Sequence, residues 1–245
     1  MPNYKLSMCY DGTKYHGWQK QNNTTNTIQE KLQTIITGII GEPIELIASG
    51  RTDTGVHAQL QVANFHCQHE LDVEKTKFTL MNQLPRDIGI YDLSEVSEQF
   101  HSRYSCKEKT YRYYIWNSEE PCVFQRRYRT IVREPLNIEL MNNAISFFVG
   151  EHDYSAFTTN KSKKHNNIRC IVSATITQNE QEIIFEFTGN GFLYNMVRIM
   201  SGTLIEIGKG ERSIESIPLA LQTKIRADAG PTAPANALFL WNIKY

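Results

Sequence analysis

No apolar stretch in this chain of 245 residues approaches the ~20 needed to cross a bilayer. The opening residues, Met1 to Tyr10, lack the charged-then-apolar pattern of a secretion signal, so a cytoplasmic protein is expected. Cysteine is sparse: Cys9, Cys67, Cys106, Cys122 and Cys170 are scattered, odd in number and contain no Cys-x-x-Cys pair. That excludes a disulfide framework and a zinc ribbon. The seven histidines form no metal motif, and His66 and His69 have no glutamate between them. A phosphate-cradling Gly-x-x-x-x-Gly-Lys run and a Ser/His/Asp order are both missing. A metal-dependent hydrolase is therefore the weakest of the readings considered.

Net charge is lacking too, since 26 Lys and Arg balance 26 Asp and Glu. This argues against non-specific coating of a polyanion. The charge is unevenly spread, however. Arg103 to Arg133 holds eight Lys or Arg against three Glu, and Lys161 to Arg169 holds four bases and no acid. Glu70 to Glu98 holds seven acids and three bases. Local basic stripes on a neutral chain suit a defined polyanion footprint better than such coating. For any single stripe, an ordinary solvated surface explains the composition equally well.

Periodicity predicts two similar halves. Tyr4 to Met8 alternates as a strand. Thr27 and Glu30 have capping-box spacing before a helical stripe of Ile28, Leu32, Ile35, Ile36 and Ile39. A short strand runs to Ala48, another covers Leu60 to Phe65, and a helix over Val73 to Leu84 is capped by Asp72 and ended by Pro85. Ile88 to Val96 closes a βαββαβ unit. The second half repeats that order: a strand over Lys109 to Trp116, a helix over Asn137 to Phe148, a hairpin of Ile168 to Thr177 with Glu182 to Phe187, a long helix over Phe192 to Ile207 and a last strand over Leu238 to Tyr245.

The expected fold is therefore α+β: two ferredoxin-like βαββαβ halves, 1–105 and 106–245, with their antiparallel sheets joined into one extended sheet, helices on one face and a cleft on the other. Residues 118 to 136 and a helix near Ser213 to Leu221 are read as insertions, and Asn160 to Asn167 as the best candidate for a mobile loop.

Five patches can carry chemistry. The most informative is Gly50-Arg-Thr-Asp-Thr-Gly-Val-His-Ala58. One carboxylate, Asp53, stands between two hydroxyl residues and two glycines, which suits an acid held at a sheet edge where a ligand approaches closely. A turn with an Asx-type hydrogen bond is the plainer reading of the same residues. Tyr10-Asp-Gly-Thr13 with Tyr15-His-Gly-Trp-Gln19 is either a base-contacting loop or, slightly favoured, a turn whose aromatics close the core. Tyr111 and Tyr113, with alternating Lys109 and Arg112, suit either a stacking platform with a phosphate clamp or core tyrosines with exposed cations. Arg198 lies among Phe192, Val197, Ile199 and Met200, where a guanidinium needs an anionic partner, catalytic or structural. Ala233-Pro-Ala235 with Leu238 fits an apolar pocket lining or plain packing. Gly189-Asn-Gly191 lacks the third glycine of a dinucleotide fingerprint.

Taken in order, these motifs resemble the TruA family of tRNA pseudouridine synthases. The resemblance rests on Gly50 to Ala58, Tyr10 to Thr13, Gly17-Trp-Gln19, Leu84-Pro85, Phe100-His101 with Arg103, Lys109 with Tyr111, His152-Asp153, and Gly189-Asn-Gly-Phe-Leu-Tyr-Asn-Met-Val-Arg198. It implies isomerisation of uridine to pseudouridine in the anticodon stem-loop of tRNA, with no cofactor and no metal. It also implies a homodimer in which one tRNA touches both subunits, and no membrane partner. By the same resemblance Asp53 is the nucleophile, Arg198 pairs with it, Tyr111 stacks on the target uracil, Arg51 assists displacement of the target base, and Leu238 floors the pocket. One departure stands out: Ala237 precedes Leu238 where the family usually has glycine. The alternative is a non-catalytic RNA-binding protein on the same fold. Against it stands the Asp53, Tyr111 and Arg198 set, because binding alone needs no such acid.

Overall fold

The computed structural model describes residues 1–160 and 166–245. Residues 161 to 165, which hold most of the basic Lys161 to Arg169 stripe and the middle of the expected mobile loop, lie outside the described residues. The chain divides into two compact units, Met1–Lys107 with Phe239–Tyr245, and Glu108–Leu238. The architecture is α+β in both.

In the first unit the chain runs β1 (Asn3–Tyr10), α1 (Ile28–Ile40), β2 (Ile47–Ala48), β3 (His57–His66), α2 (Val73–Gln83) and β4 (Ile88–Val96). Strand β1 lies antiparallel between β3 and β4, and β2 pairs antiparallel with β3. The resulting order, β4-β1-β3 with β2 outermost, is that of a ferredoxin-like unit. The apolar alternation of β1 puts Tyr4, Leu6 and Met8 fully inside. Helix α1 begins where Thr27 accepts the Glu30 N–H and stops at Gly41, whose φ of 83° is the left-handed conformation glycine adopts without strain. Its Ile28, Leu32 and Ile36 are buried. Helix α2 starts at an Asp72 cap and ends before Pro85.

The last strand, β10 (Leu238–Lys244), closes this same unit although it follows the second in the chain. Its Phe239 and Leu240 run parallel to His57 and Ala58 of β3. Because β1 occupies the whole of one edge of β3, β10 and β2 share the other, one at each end.

The second unit holds β5 (Glu108–Asn117), β6 (Thr130–Val132), α3 (Ile138–Ile145), β7 (Gly150–Asp153), β8 (Ile168–Asn179), β9 (Glu182–Gly189), α4 (Met196–Gly208) and α5 (Ser216–Thr223). The antiparallel order is β5-β9-β8-β7, with β6 parallel to the end of β5. Tyr111, Tyr113 and Ile115 face Phe187, Phe185 and Ile183 across β5 and β9, and all six are buried. Such cross-strand aromatic and β-branched pairs each add roughly 0.2–1 kcal/mol. Strands β6 and β7 are additions to the expected order. Helix α4 starts four residues later than the periodicity predicts, because Asn195 takes a left-handed φ of 60° just before it.

Candidate active site

The Asp53 loop connects β2 to β3, and its main chain is held from several sides. Trp18 N–H donates to Thr52 O at 3.0 Å, Gly55 N–H to Tyr15 O at 3.3 Å and Val56 N–H to Asp53 O at 3.1 Å. Beneath it, Tyr10 Oη and Thr52 Oγ1 lie 2.8 Å apart, Gln61 Nε2 donates to Gly50 O at 2.9 Å, and Ser49 Oγ donates to Gln61 Oε1 at 2.7 Å. Burial pushes the Tyr10 hydroxyl up to about 12, with the Thr52 and Gln61 bonds opposing. Tyr10 is therefore neutral at any physiological pH and can donate or accept.

Two glycines let the 11–18 segment press on this loop. A Cβ at Gly12 would lie 1.9 Å from Val56 O, and one at Gly17 would lie 2.7 Å from Thr52 O. Gly17 also has a φ of 83°. Tyr10, Tyr15 and Trp18 are buried, so the aromatic patch from Tyr10 to Gln19 is a packed support, as its plainer reading held. Tyr15 Oη reaches Asp87 Oδ1 at 2.6 Å. His57, directly after the loop, is fully buried, accepts the Gly12 N–H on Nδ1 at 3.0 Å and stacks on Phe239 at 4.6 Å. On this frame Asp53 is half-buried and Arg51 is exposed.

The second unit carries Tyr111, Arg198 and Leu238. Tyr111 is buried on β5 and meets Phe192 edge-on at 4.9 Å. Arg198 is half-buried on α4. Its Nε donates to Ala233 O at 2.7 Å and its Nη1 to Asn195 Oδ1 at 2.8 Å, while Ala233 N–H donates back to Arg198 O at 3.1 Å. The strap from 230 to 233 lies against α4 because the helix carries Gly202, where a Cβ would meet Pro231 O at 2.1 Å.

Tyr113, two residues along β5 from Tyr111, hydrogen-bonds Thr130 Oγ1 and donates to Pro234 O at 3.0 Å. Burial raises its pKa, opposed by the Thr130 bond and the Arg198 charge. Tyr113, Arg198 and the 233–234 strap thus form one cluster. Leu238 is buried where the strap becomes β10. Ala237 is fully buried and is not among the residues with positive φ, so its methyl causes no left-handed strain.

Sequence reading missed Ser49 and Gln61 as parts of this frame, and gave Gly12 and His57, though inside its motifs, no role of their own. Gln61 was the findable one: an amide in the middle of an apolar strand needs partners when buried.

Comparison with known proteins gives the family. A family model described as tRNA pseudouridine synthase matches residues 7–105 and 144–245. A tRNA pseudouridine synthase A of Bacillus sp. (strain KSM-64) is 46% identical over 245 residues, 100% of each chain. A tRNA pseudouridine synthase A 2 of Bacillus anthracis and a tRNA pseudouridine synthase A of Acetivibrio thermocellus are each 42% identical, again over 100% of both chains. A Cbf5-Nop10-Gar1 complex matches 82% of this chain and 54% of that chain at 13% identity, with a TM-score of 0.32, a likeness too slight to bear on fold or function. The full-length relatives and the family model together establish that this chain belongs to the tRNA pseudouridine synthase family, in its TruA branch.

Proposed function

We propose that the protein acts on uridines of the anticodon stem-loop, with Asp53 as the nucleophile. As a tRNA pseudouridine synthase it is an isomerase that converts uridine to pseudouridine in tRNA. The reaction breaks the bond from N1 of uracil to C1′ and forms one from C5 to C1′. A proton leaves C5 and one is taken up at N1, so atoms and electrons balance without an oxidant or a cofactor. A carboxylate can start this by attacking the ring, by attacking C1′, or by assisting elimination of the base. The freed base must turn without escaping, which is the service assigned to Tyr111 and Leu238. Arg51 assists displacement of the target base, and Arg198 pairs with Asp53, keeping it ionised.

The observation that carries this reading is the loop itself: a half-buried acid whose main chain is held by Trp18 and Gln61, with Tyr10 on the neighbouring Thr52 hydroxyl. The target must first leave its stack, at a cost of a few kcal/mol. Cations of the Arg103–Arg133 and Lys161–Arg169 stripes offset that through phosphate contacts. In this reading residues 1–105 supply the acid and 106–245 supply the stack, and the protein works in the cytoplasm as a homodimer with one tRNA touching both subunits. Among the described residues no helix is long and apolar enough to cross a membrane.

Asp53→Asn keeps the shape and removes the charge. It is expected to abolish pseudouridine formation, read by carbodiimide labelling of tRNA, while tRNA binding persists; turnover by the variant refutes the assignment. Arg198→Leu is expected to move the acid limb of the rate profile to higher pH, since losing a cation favours the protonated acid. An unmoved limb removes Arg198 from that role.

A further inference from the structure

The turn between β5 and β6 has a use beyond the reacting nucleotide. Phe124 at its tip is 98% exposed and its neighbour Val123 is 52% exposed, whereas Cys122 beside them is buried. A phenyl ring so nearly all in water removes little apolar surface from solvent, so burial adds little to the fold there. Yet the C-terminal side of the turn is anchored. Arg129 pairs with Glu182 at 2.5 Å and covers the Tyr114 ring at 4.3 Å. The Asn236 side-chain amide donates to the main-chain oxygens of Arg126, Arg127 and Arg129, at 3.2, 3.3 and 3.2 Å. The Arg126 guanidinium donates back to Val123 O across the turn. A tip that only filled space would not need an asparagine spanning three carbonyls.

Charge gives the partner. Arg126 and Arg127 are exposed next to Phe124, while the turn's two acids, Glu119 and Glu120, stand at its start before Pro121. One aromatic ring with two guanidiniums matches the chemistry of single-stranded RNA: a π-face for a base and cations for the flanking phosphates. Phe124 and Val123 by themselves cannot supply a stable protein contact, which buries ~1,200 Å² or more over both partners.

We propose that Phe124 stacks on an unpaired base of the bound tRNA, distinct from the target uridine, and that Arg126 and Arg127 contact the adjoining phosphates, with Asn236 as the residue that positions the turn. This rests on the tRNA reading above and adds a binding subsite to it. Asn236 directly precedes Ala237 and Leu238, so the clasp ties the RNA-contacting turn to the segment that leads into the proposed pocket floor.

The test uses the full-length enzyme with an unmodified tRNA transcript. Phe124→Ala is expected to raise KM about tenfold, the lower range for loss of one base–aromatic stack, with kcat unchanged. Phe124→Trp is expected to retain wild-type KM and to show quenched tryptophan emission when tRNA is added. Replacing Arg126 and Arg127 by Ala is expected to flatten the salt dependence of binding by about one in slope for each arginine, a slope that Phe124→Ala leaves alone. Asn236→Ala is expected to raise KM less than Phe124→Ala does. An unchanged KM for Phe124→Ala, an unquenched Phe124→Trp, or a Phe124→Ala defect that accompanies a change in oligomeric state by light scattering would overturn the proposal, the last by making the tip a protein contact. If the wild-type enzyme formed no pseudouridine, quenching would still report the contact, so the two claims fail separately.

Discussion

The first unit holds its acid by the main chain, and the second holds its arginine by the side chain. Asp53 sits on a loop whose carbonyls and amides are bonded to Trp18, Tyr15 and Gln61. Arg198 sits in the first turn of a helix, and its guanidinium is aimed by Ala233 O and Asn195 Oδ1. A loop has no ladder of its own and must borrow partners for its buried polar groups. The two designs therefore break in different ways. The loop fails when a neighbour acquires bulk, and the arginine fails when its acceptors are lost.

Gly12→Ala tests the first design most severely. Its methyl would collide with Val56 O, which is main chain and cannot swing aside. We expect a loss of about 3 kcal/mol or more in urea unfolding, among the large values that follow from overpacking, together with lost activity. A fully active, stable variant would mean that the 11–18 segment does not support the loop.

Asn195 tests the second design. Asn195→Ala loses the Nη1 contact and places alanine at a φ of 60°, a conformation that costs an L-residue roughly 1–2 kcal/mol. Asn195→Gly loses the same side-chain contacts, to Arg198 and to Thr159 Oγ1, without the backbone strain. Glycine should therefore recover about 1 kcal/mol of stability while kcat stays low in both. Recovery of kcat by glycine would show that backbone shape, not the aiming bond, matters.

The smallest effect at neutral pH belongs to Tyr10→Phe, which removes a buried hydroxyl and should cost about 1 kcal/mol. Its clearer signature is alkaline. Folding raises the Tyr10 pKa from 10.0 to about 12. The preference for the neutral form is thus fully present below pH 10 and is lost as pH rises through about 12. Tyr10→Phe should lose less stability than wild type between pH 10 and 12 in denaturant titrations. Identical slopes would contradict the buried position of the hydroxyl.

Much of the frame was legible. Thr27, Asp72, Gly41 and Pro85 mark helix ends by local chemistry, and structure and sequence agree on α1 and α2. Strands of three or four residues, such as β6 and β7, are too short to show alternation. The start of α4 depends on a left-handed asparagine whose conformation the rest of the second unit imposes. The aromatic patch from Tyr10 to Trp18 admitted two readings because burial is not written in composition. Only contact with the 52–56 segment turned it into a support.

The family resemblance, the α+β order and the placing of a single acid on a glycine-bracketed loop were legible in the sequence, the first from ordered motifs and the others from residue types at fixed spacing and local rules of capping and alternation. Tertiary structure decided what the local rules do not reach. It joined β10 to β3, seated Gln61 and Tyr10 under the acid, aimed Arg198 from a distant strap and left Phe124 in water. Each of these depends on which distant backbone comes close enough to accept a hydrogen bond or to exclude a methyl group.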